Sequence, residues 1–498
     1  MQRRVLFGLG IGTAIGLAAW CLMPDAVVSR RRDVDEAVYL MVARLLRHGY
    51  APSSFFFDQF WLFPKTLAAT FRLFGDSLIV GRLTVFGFSL VGVIGIAVLS
   101  YQLGATWAVP VAILAAAVEP LYLKQSRVAM SDIPSAACIT WALVLLIAFQ
   151  KNRRRFWLAL SGVCAAASLT VKPLAIGFVV SFVILLLSQR THREAGRLRF
   201  DLRALAMDLL VFAASGIITA APFIDLLHPI NEYRRTIMFH LAEKNWLAST
   251  AADRCRALLG FTRQNIPWLG FAAVGVASLR PLPVVGSALL AGELLSTGIL
   301  LQLPPWLHHY TLLVPLLIVF SVLGLDRGFI ALKQTITNLR SHAAISNSSK
   351  SLAIMFVAAL FIASIDLPRI VRYDYRALYP PPDHLEPAIR YLEQNTAPGD
   401  YFLSDDVMIP YLANRLVPPS AINLTFAATF KFDQTSGTYL ETTLRQYPVA
   451  GVIVSARYRR NSQLMSWIES NFPVSTQIGG DDRSTLVARI YSREKERR

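Results

Sequence analysis

IVGRLTVFGFSLVGVIGIAVLS, residues 79–100, is a run of 22 residues with one charge, Arg82. As an α-helix it rises about 1.5 Å per residue and reaches about 33 Å, enough for the ~30 Å hydrocarbon core of a bilayer. Similar apolar runs recur along the chain, separated by short basic or proline-containing breaks. The 498 residues are 54% hydrophobic and only 16% charged, and mean hydropathy is +0.46. These values point to one large polytopic membrane domain with soluble material attached, rather than a string of soluble domains.

Hydrophobicity places eleven spans, at about 5–23, 79–100, 106–118, 133–150, 156–170, 174–188, 204–222, 264–279, 284–301, 310–325 and 351–366. The first reads as an uncleaved helix, because no small-x-small cleavage site follows it. The net charge of +17 gathers in three basic segments, 151–155, 189–203 and 326–350. With Arg3 and Arg4 in the cytoplasm, alternation puts all three inside, as the positive-inside rule asks. This accounts for the charge without nucleic acid, for which no basic helix or aromatic-basic motif is present. Cys21, Cys138, Cys164 and Cys255 are scattered without metal or redox spacing, and read as small hydrophobes.

From residue 368 the character changes. Pro380, Pro381 and Pro382 mark a linker, Leu385 to Asn395 has helical spacing, and Ala450–Ser455 and Thr485–Tyr491 read as strands. The expected fold is an α-helical polytopic membrane protein with a small C-terminal α/β domain. The division falls at 1–367 and 368–498, and the C-terminal domain lies outside the cytoplasmic (inner) membrane.

The loop 24–78 falls on the outer side and carries Asp35 and Glu36. Val38, Leu40, Val42, Leu45 and Leu46 give an apolar face to a helix that starts near Asp33. Phe55, Phe56, Phe57, Phe60, Trp61 and Phe63 form an aromatic patch expected at the membrane–water interface. Leu62 to Phe74 continues as an amphipathic helix in that plane. A cleft at this depth suits a lipid-linked substrate, its head at Asp35 and its tail in the bilayer.

These features resemble the membrane-embedded type-C glycosyltransferases. Within them the chain is similar to the protein O-mannosyltransferase and lipid A aminoarabinose transferase superfamily, including its Rhizobium galacturonosyltransferase-like branch. The resemblance rests on Asp35-Glu36 after the first span, and on Phe74-Gly75-Asp76 through Gly81-Arg82-Leu83. Arg127 with Ser131-Asp132 and Pro134, Lys172-Pro173, and His308-His309-Tyr310 support it. It covers roughly residues 1–325. One departure stands out: Phe57-Asp58-Gln59-Phe60 occupies the place where the family often has an acidic residue followed by lysine, so Asp58 has a counterpart and the lysine does not.

The resemblance implies transfer of a sugar from a polyprenyl-phosphate donor to an acceptor outside the membrane, whether lipid A, another glycan, a lipid or a protein. Such a transfer needs a base for the acceptor hydroxyl, positive charge for the leaving phosphate, and exclusion of water. Asp35 is the expected base, with Asp132 as a second catalytic carboxylate and Glu36 beside the substrate. Capping of the loop helix by Asp33 or Asp35, and of the fourth span by Ser131-Asp132, are the competing readings. Arg127, Lys172 and Arg82 are the candidates for phosphate, with Lys172 alternatively snorkelling to the interface. His308, His309 and Tyr310 are expected at phosphate or sugar, or as an interfacial anchor. Asp58 is expected to bind the acceptor or a divalent metal ion, and the resemblance adds His240 to that metal site. Two other classes compete. A transporter or flippase needs charges lining the span centres, whereas nearly all lie at span ends, Glu293 excepted. A polysaccharide polymerase or ligase would use the outer loop 223–263, with Arg234, Arg235, His240 and Arg254.

Overall fold

The computed structural model describes residues 2–24, 34–55, 57, 59–105, 108–194, 197–224, 230, 233, 236, 238, 250–279, 284–303, 306–341, 346–378, 385–422, 434–455, 458–479 and 486–492. The helices of the first half are α1 (Gln2–Leu22), α2 (Val34–Arg47), α3 (Leu62–Phe74), α4 (Leu78–Gln102), α5 (Val109–Val118), α6 (Pro120–Ser126), α7 (Asp132–Asn152), α8 (Arg155–Val171), α9 (Val179–Gln189) and α10 (Leu202–Ala220). They are followed by α11 (Ala251–Gln264), α12 (Ile266–Ser278), α13 (Val284–Leu300), α14 (Val314–Arg340) and α15 (Asn347–Leu378). Among the described residues five segments are long and apolar enough to cross a bilayer: Leu78–Gln102, Asp132–Asn152, Leu202–Phe223, Leu307–Arg340 and Asn347–Asp366. Six shorter apolar helices, of 10–17 residues, stand where the remaining spans are expected.

Local chemistry sets the boundaries. Ser77 caps α4, its hydroxyl accepting from the Val80 N–H at 3.3 Å. Thr250 and Asp253 form a reciprocal capping box on α11. Arg153 turns the chain from α7 to α8 in the left-handed region, with φ 56°. Where α12 crosses α14 the backbones nearly touch. A Cβ on Gly324 would lie 1.9 Å from the Phe271 carbonyl oxygen, and one on Gly275 would lie 2.0 Å from that of Phe320. Small residues at helix crossings are what allow this approach in a bilayer. Gly324→Ala is expected to cost about 1–3 kcal/mol by overpacking. The thermal midpoint in detergent falls accordingly, while Gly87→Ala, which meets nothing within 4 Å, leaves it unchanged.

Three connections differ from expectation. The basic segment 189–203 holds an antiparallel hairpin, β1 (Thr191–Glu194) and β2 (Arg197–Phe200), pairing Thr191 with Phe200. The basic segment from 326 is not a loop at its start: α14 runs on to Arg340, so Arg327, Lys333 and Arg340 ride on a helix that outlasts its apolar part. Likewise α15 continues to Leu378 with Pro368 inside it, past the expected domain boundary. At the basic end of the bundle the buried Asp208 of α10 accepts from Arg190 at 2.5 Å and pairs with Arg155 at 3.3 Å. That carboxylate neutralises part of the positive charge beside the hairpin.

The C-terminal helices are α16 (Glu386–Asn395), α17 (Met408–Leu412), α18 (Gln434–Gln446) and α19 (Ser462–Asn471). The strands are β3 (Tyr401–Ser404), β4 (Val449–Val454), β5 (Val474–Gly479) and β6 (Leu486–Ser492), in the order β3-β4-β6-β5. Only β3 and β4 are parallel. Strand alternation divides the two faces. Ile453, Ile478, Ala488 and Ile490, with α16, join the apolar core of the membrane bundle. Val452, Val454 and Tyr491 pack with Leu440, Leu464, Ile468 and Phe472 into a separate core.

Candidate active site

The site begins with α2. Its sequence suggests one apolar face, but Ala37, Tyr39, Leu40, Met41, Val42, Ala43 and Leu45 are all buried. A helix buried on nearly every side is enclosed by protein rather than resting on a surface. Gly81 permits that enclosure on one side, since a Cβ there would strike Leu40 at 2.4 Å. The aromatic patch supplies another side and is core, not interface. Phe55, Phe57, Trp61 and Phe63 are buried, and Tyr39 packs edge-on against Phe57 at 5.9 Å and Phe63 at 5.1 Å. Stacking beneath α2 removes these rings from lipid contact, a use that the aromatic run shares with an interfacial belt at the level of composition. Phe56 lies outside the described residues. The end of α3 is different, with Leu73 and Phe74 exposed by 76% and 73%. Those side chains suit the membrane-facing role expected of this helix.

Successive helical residues diverge by about 100°, so Asp35 and Glu36 point different ways. Glu36 is fully buried and is not placed as a substrate contact. Arg82 grips it with a fork, Nε to Oε1 at 2.8 Å and Nη2 to Oε2 at 2.9 Å. The Ala129 N–H donates to Oε1 at 2.7 Å. Arg82 is itself buried, so this expected phosphate ligand serves as the partner of Glu36. One carboxylate therefore ties together α2, α4 and the loop leading to α7. Asp35 is half-buried beside it, in the first turn of α2.

Asp132 and Lys172 meet one helix over. Pro173 disfavours helical backbone at the residue before it, and Lys172 is extended at φ −149°, ψ 110°. That ends α8 and aims the side chain at the start of α7, where Lys172 Nζ donates to Asp132 Oδ1 at 2.5 Å. Both side chains are buried, so Lys172 does not snorkel. Reciprocal Ser135 and Ser168 hydroxyls, 2.9 Å apart, lock α7 and α8 one turn away. Asp132 is the first residue of α7, not its cap. Ser131 occupies the cap position with no side-chain capping bond, and its hydroxyl pairs with that of Tyr39 at 2.8 Å. Asp132 Oδ2 is buried without a partner. A buried carboxylate oxygen left without a partner costs at least about 1–3 kcal/mol. It also stands ready to accept a hydroxyl.

Arg127 is half-buried at the end of α6, four residues before Ser131. His308 and His309 lie in a 3-10 turn, Leu307–Leu313, their rings edge to face at 4.5 Å. Tyr310 is buried and stacks on Phe261 of α11 at 5.3 Å. Asp58 and His240 lie outside the described residues, as do Arg234 and Arg235. Among the described residues no three His, Cys, Asp or Glu side chains stand together as a metal site.

Residues 61–217 match the family model described as dolichyl-phosphate-mannose-protein mannosyltransferase. The crystal structure of ArnT from Cupriavidus metallidurans bound to undecaprenyl phosphate is similar with a TM-score of 0.60, at 12% identity, over 97% of each chain. The chain therefore shares the fold of the ArnT structure. The apo Archaeoglobus fulgidus oligosaccharyltransferase is similar with a TM-score of 0.56, at 14% identity, over 92% of this chain and 72% of that one. A further structure of that archaeal enzyme, in complex with zinc and sulfate, has a TM-score of 0.50, at 14% identity, over 94% of this chain and 71% of that one. No curated protein sequence matches the chain.

Proposed function

We propose that this protein is an integral-membrane glycosyltransferase that moves a sugar from a polyprenyl-phosphate donor to an extracytoplasmic acceptor, with inversion at the anomeric carbon. The observation that carries the reading is a convergence at one end of the bundle. Glu36, next to half-exposed Asp35, accepts from the Ala129 N–H, and Tyr39 pairs with Ser131, so α2 is joined to the start of α7, where buried Asp132 holds Lys172 and keeps one oxygen unpaired among the described residues. The type-C fold and the undecaprenyl phosphate bound by ArnT support the choice of donor.

The chemistry follows from the groups present. Asp35 takes the proton of the acceptor hydroxyl as its oxygen attacks the anomeric carbon. The bond from that carbon to the phosphate oxygen breaks, and its electron pair leaves with the polyprenyl phosphate. Lys172 and Arg127 supply positive charge for the leaving phosphate, and Asp132 holds Lys172 and orients a donor or acceptor hydroxyl. Tyr39, one turn on from Asp35 and so on the same face of α2, packs with Phe57 and Phe63 and helps keep water from that side. Attack opposite the leaving group inverts the configuration. A divalent ion at Asp58 and His240 is a further part of the proposal, and loss of transfer on chelation, restored by a divalent salt, supports it. Domain 368–498 is proposed to lie outside the membrane with the acceptor.

Mass spectrometry of lipids and glycans from a deletion strain is expected to show loss of one sugar from an envelope component. NMR of the purified transfer product is expected to show an anomeric configuration opposite to the donor's. Retained configuration excludes the single displacement at Asp35.

A further inference from the structure

The base-bearing helix α2 is held at two points against the same helix, α4. Glu36 meets Arg82 at the first. Eight residues on, about 12 Å along the helix axis, Arg44 meets Asp76 just before α4 begins. Arg44 Nε donates to Asp76 Oδ2 at 2.6 Å and Nη2 to Oδ1 at 3.2 Å. The remaining ligands come from the C-terminal domain. Arg44 Nη1 donates to the Tyr411 carbonyl at 2.8 Å, the guanidinium lies 3.8 Å over the Tyr411 ring, and the Tyr411 hydroxyl donates to Asp76 Oδ1 at 2.9 Å. A second hydroxyl pair, Tyr50 with Tyr401, joins the residues after α2 to β3. Burial, and then the Asp76 carboxylate, push the Tyr411 phenol well up, so it keeps its proton and remains a donor.

We propose that Tyr411 is a positioning residue for the site: through Arg44 and Asp76 the C-terminal domain sets the lie of α2, and so the place of Asp35. A charge pair this buried is rigid when complete and costly when one member is missing. The geometry is two-ended. Loss of the far grip frees the Arg44 end of α2 and lets the helix tilt about Glu36–Arg82, which turns the Asp35 side chain beside the pivot rather than carrying it bodily, and leaves Lys172 and Asp132 in place. Positioning errors of about 1 Å cost up to about a hundredfold in rate. The transfer arm of the test rests on the transferase reading above, and the labelling arm does not.

Full-length protein in nanodiscs serves for both arms. Tyr411→Phe keeps the ring under Arg44 and removes the hydroxyl, and Tyr411→Ala removes both. Expected falls in kcat are about threefold and about a hundredfold, with KM for the polyprenyl-phosphate sugar within about twofold. For the second arm, Asp35→Cys is made in a Cys255→Ser background and its rate of maleimide labelling is measured. Adding Tyr411→Phe is expected to raise that rate about twofold, and adding Tyr411→Ala about tenfold, by local loosening of α2. Labelling unchanged by both variants overturns the proposal, whatever the transfer rate. Faster labelling in a protein whose wild type transfers no sugar leaves the proposal standing and removes the transferase reading instead.

Discussion

Asp35→Asn is expected to lower the rate of transfer by about 10²- to 10⁴-fold, the contribution of a well-placed general base. The change is nearly isosteric, so the fold and the Glu36–Arg82 fork remain. Asn at that place keeps any hydrogen bond to the acceptor hydroxyl but takes no proton from it. KM for the lipid donor therefore changes little, and the loss appears in kcat. Undiminished transfer by Asp35→Asn removes Asp35 as the base.

Lys172→Met has the second large effect, and it acts on both stability and rate. It leaves Asp132 buried with neither oxygen paired, a cost of about 3–5 kcal/mol for breaking a buried ion pair. Pairing it with Asp132→Asn removes the stranded charge. The double variant is expected to recover most of the thermal midpoint, because contacting residues are not additive. Transfer stays low in the double variant, since the charge facing the leaving phosphate is gone. Recovery of both stability and transfer would mean that the pair is structural only.

Much of this arrangement was legible in the sequence. Long apolar runs mark where the helices of the bundle fall. The first-loop helix, the start of α7 at Asp132 and the break at Lys172-Pro173 each carry a local signal: acidic residues in a first turn, proline at the third helical position, proline after a lysine. What the sequence hides is partnership. Arg82 reads as a phosphate ligand, yet its sequence gives no sign that it faces Glu36, 46 residues earlier. Asp76, Arg44 and Tyr411 are unremarkable singly, and their meeting depends on how a domain more than 300 residues away docks. The aromatic run from Phe55 to Phe63 shows a limit of a different kind. Interfacial belts and buried cores use the same residues, and only the enclosure of α2 decides between them. The continuations of α14 and α15 past their apolar parts were hidden too, because hydropathy reports where a helix enters lipid and not where it ends.

Transfer from a lipid-linked sugar at the α2 site is open to direct measurement. Purified protein in nanodiscs is given a radiolabelled polyprenyl-phosphate sugar and a total envelope-lipid and glycan extract, beside a parallel reaction with the matching nucleotide sugar. Label moving from the polyprenyl donor into a new product, absent with the nucleotide sugar and reduced at least about a hundredfold by Asp35→Asn, is the predicted result. Label that reaches product from the nucleotide sugar alone, or that moves equally well in the Asp35→Asn protein, contradicts it.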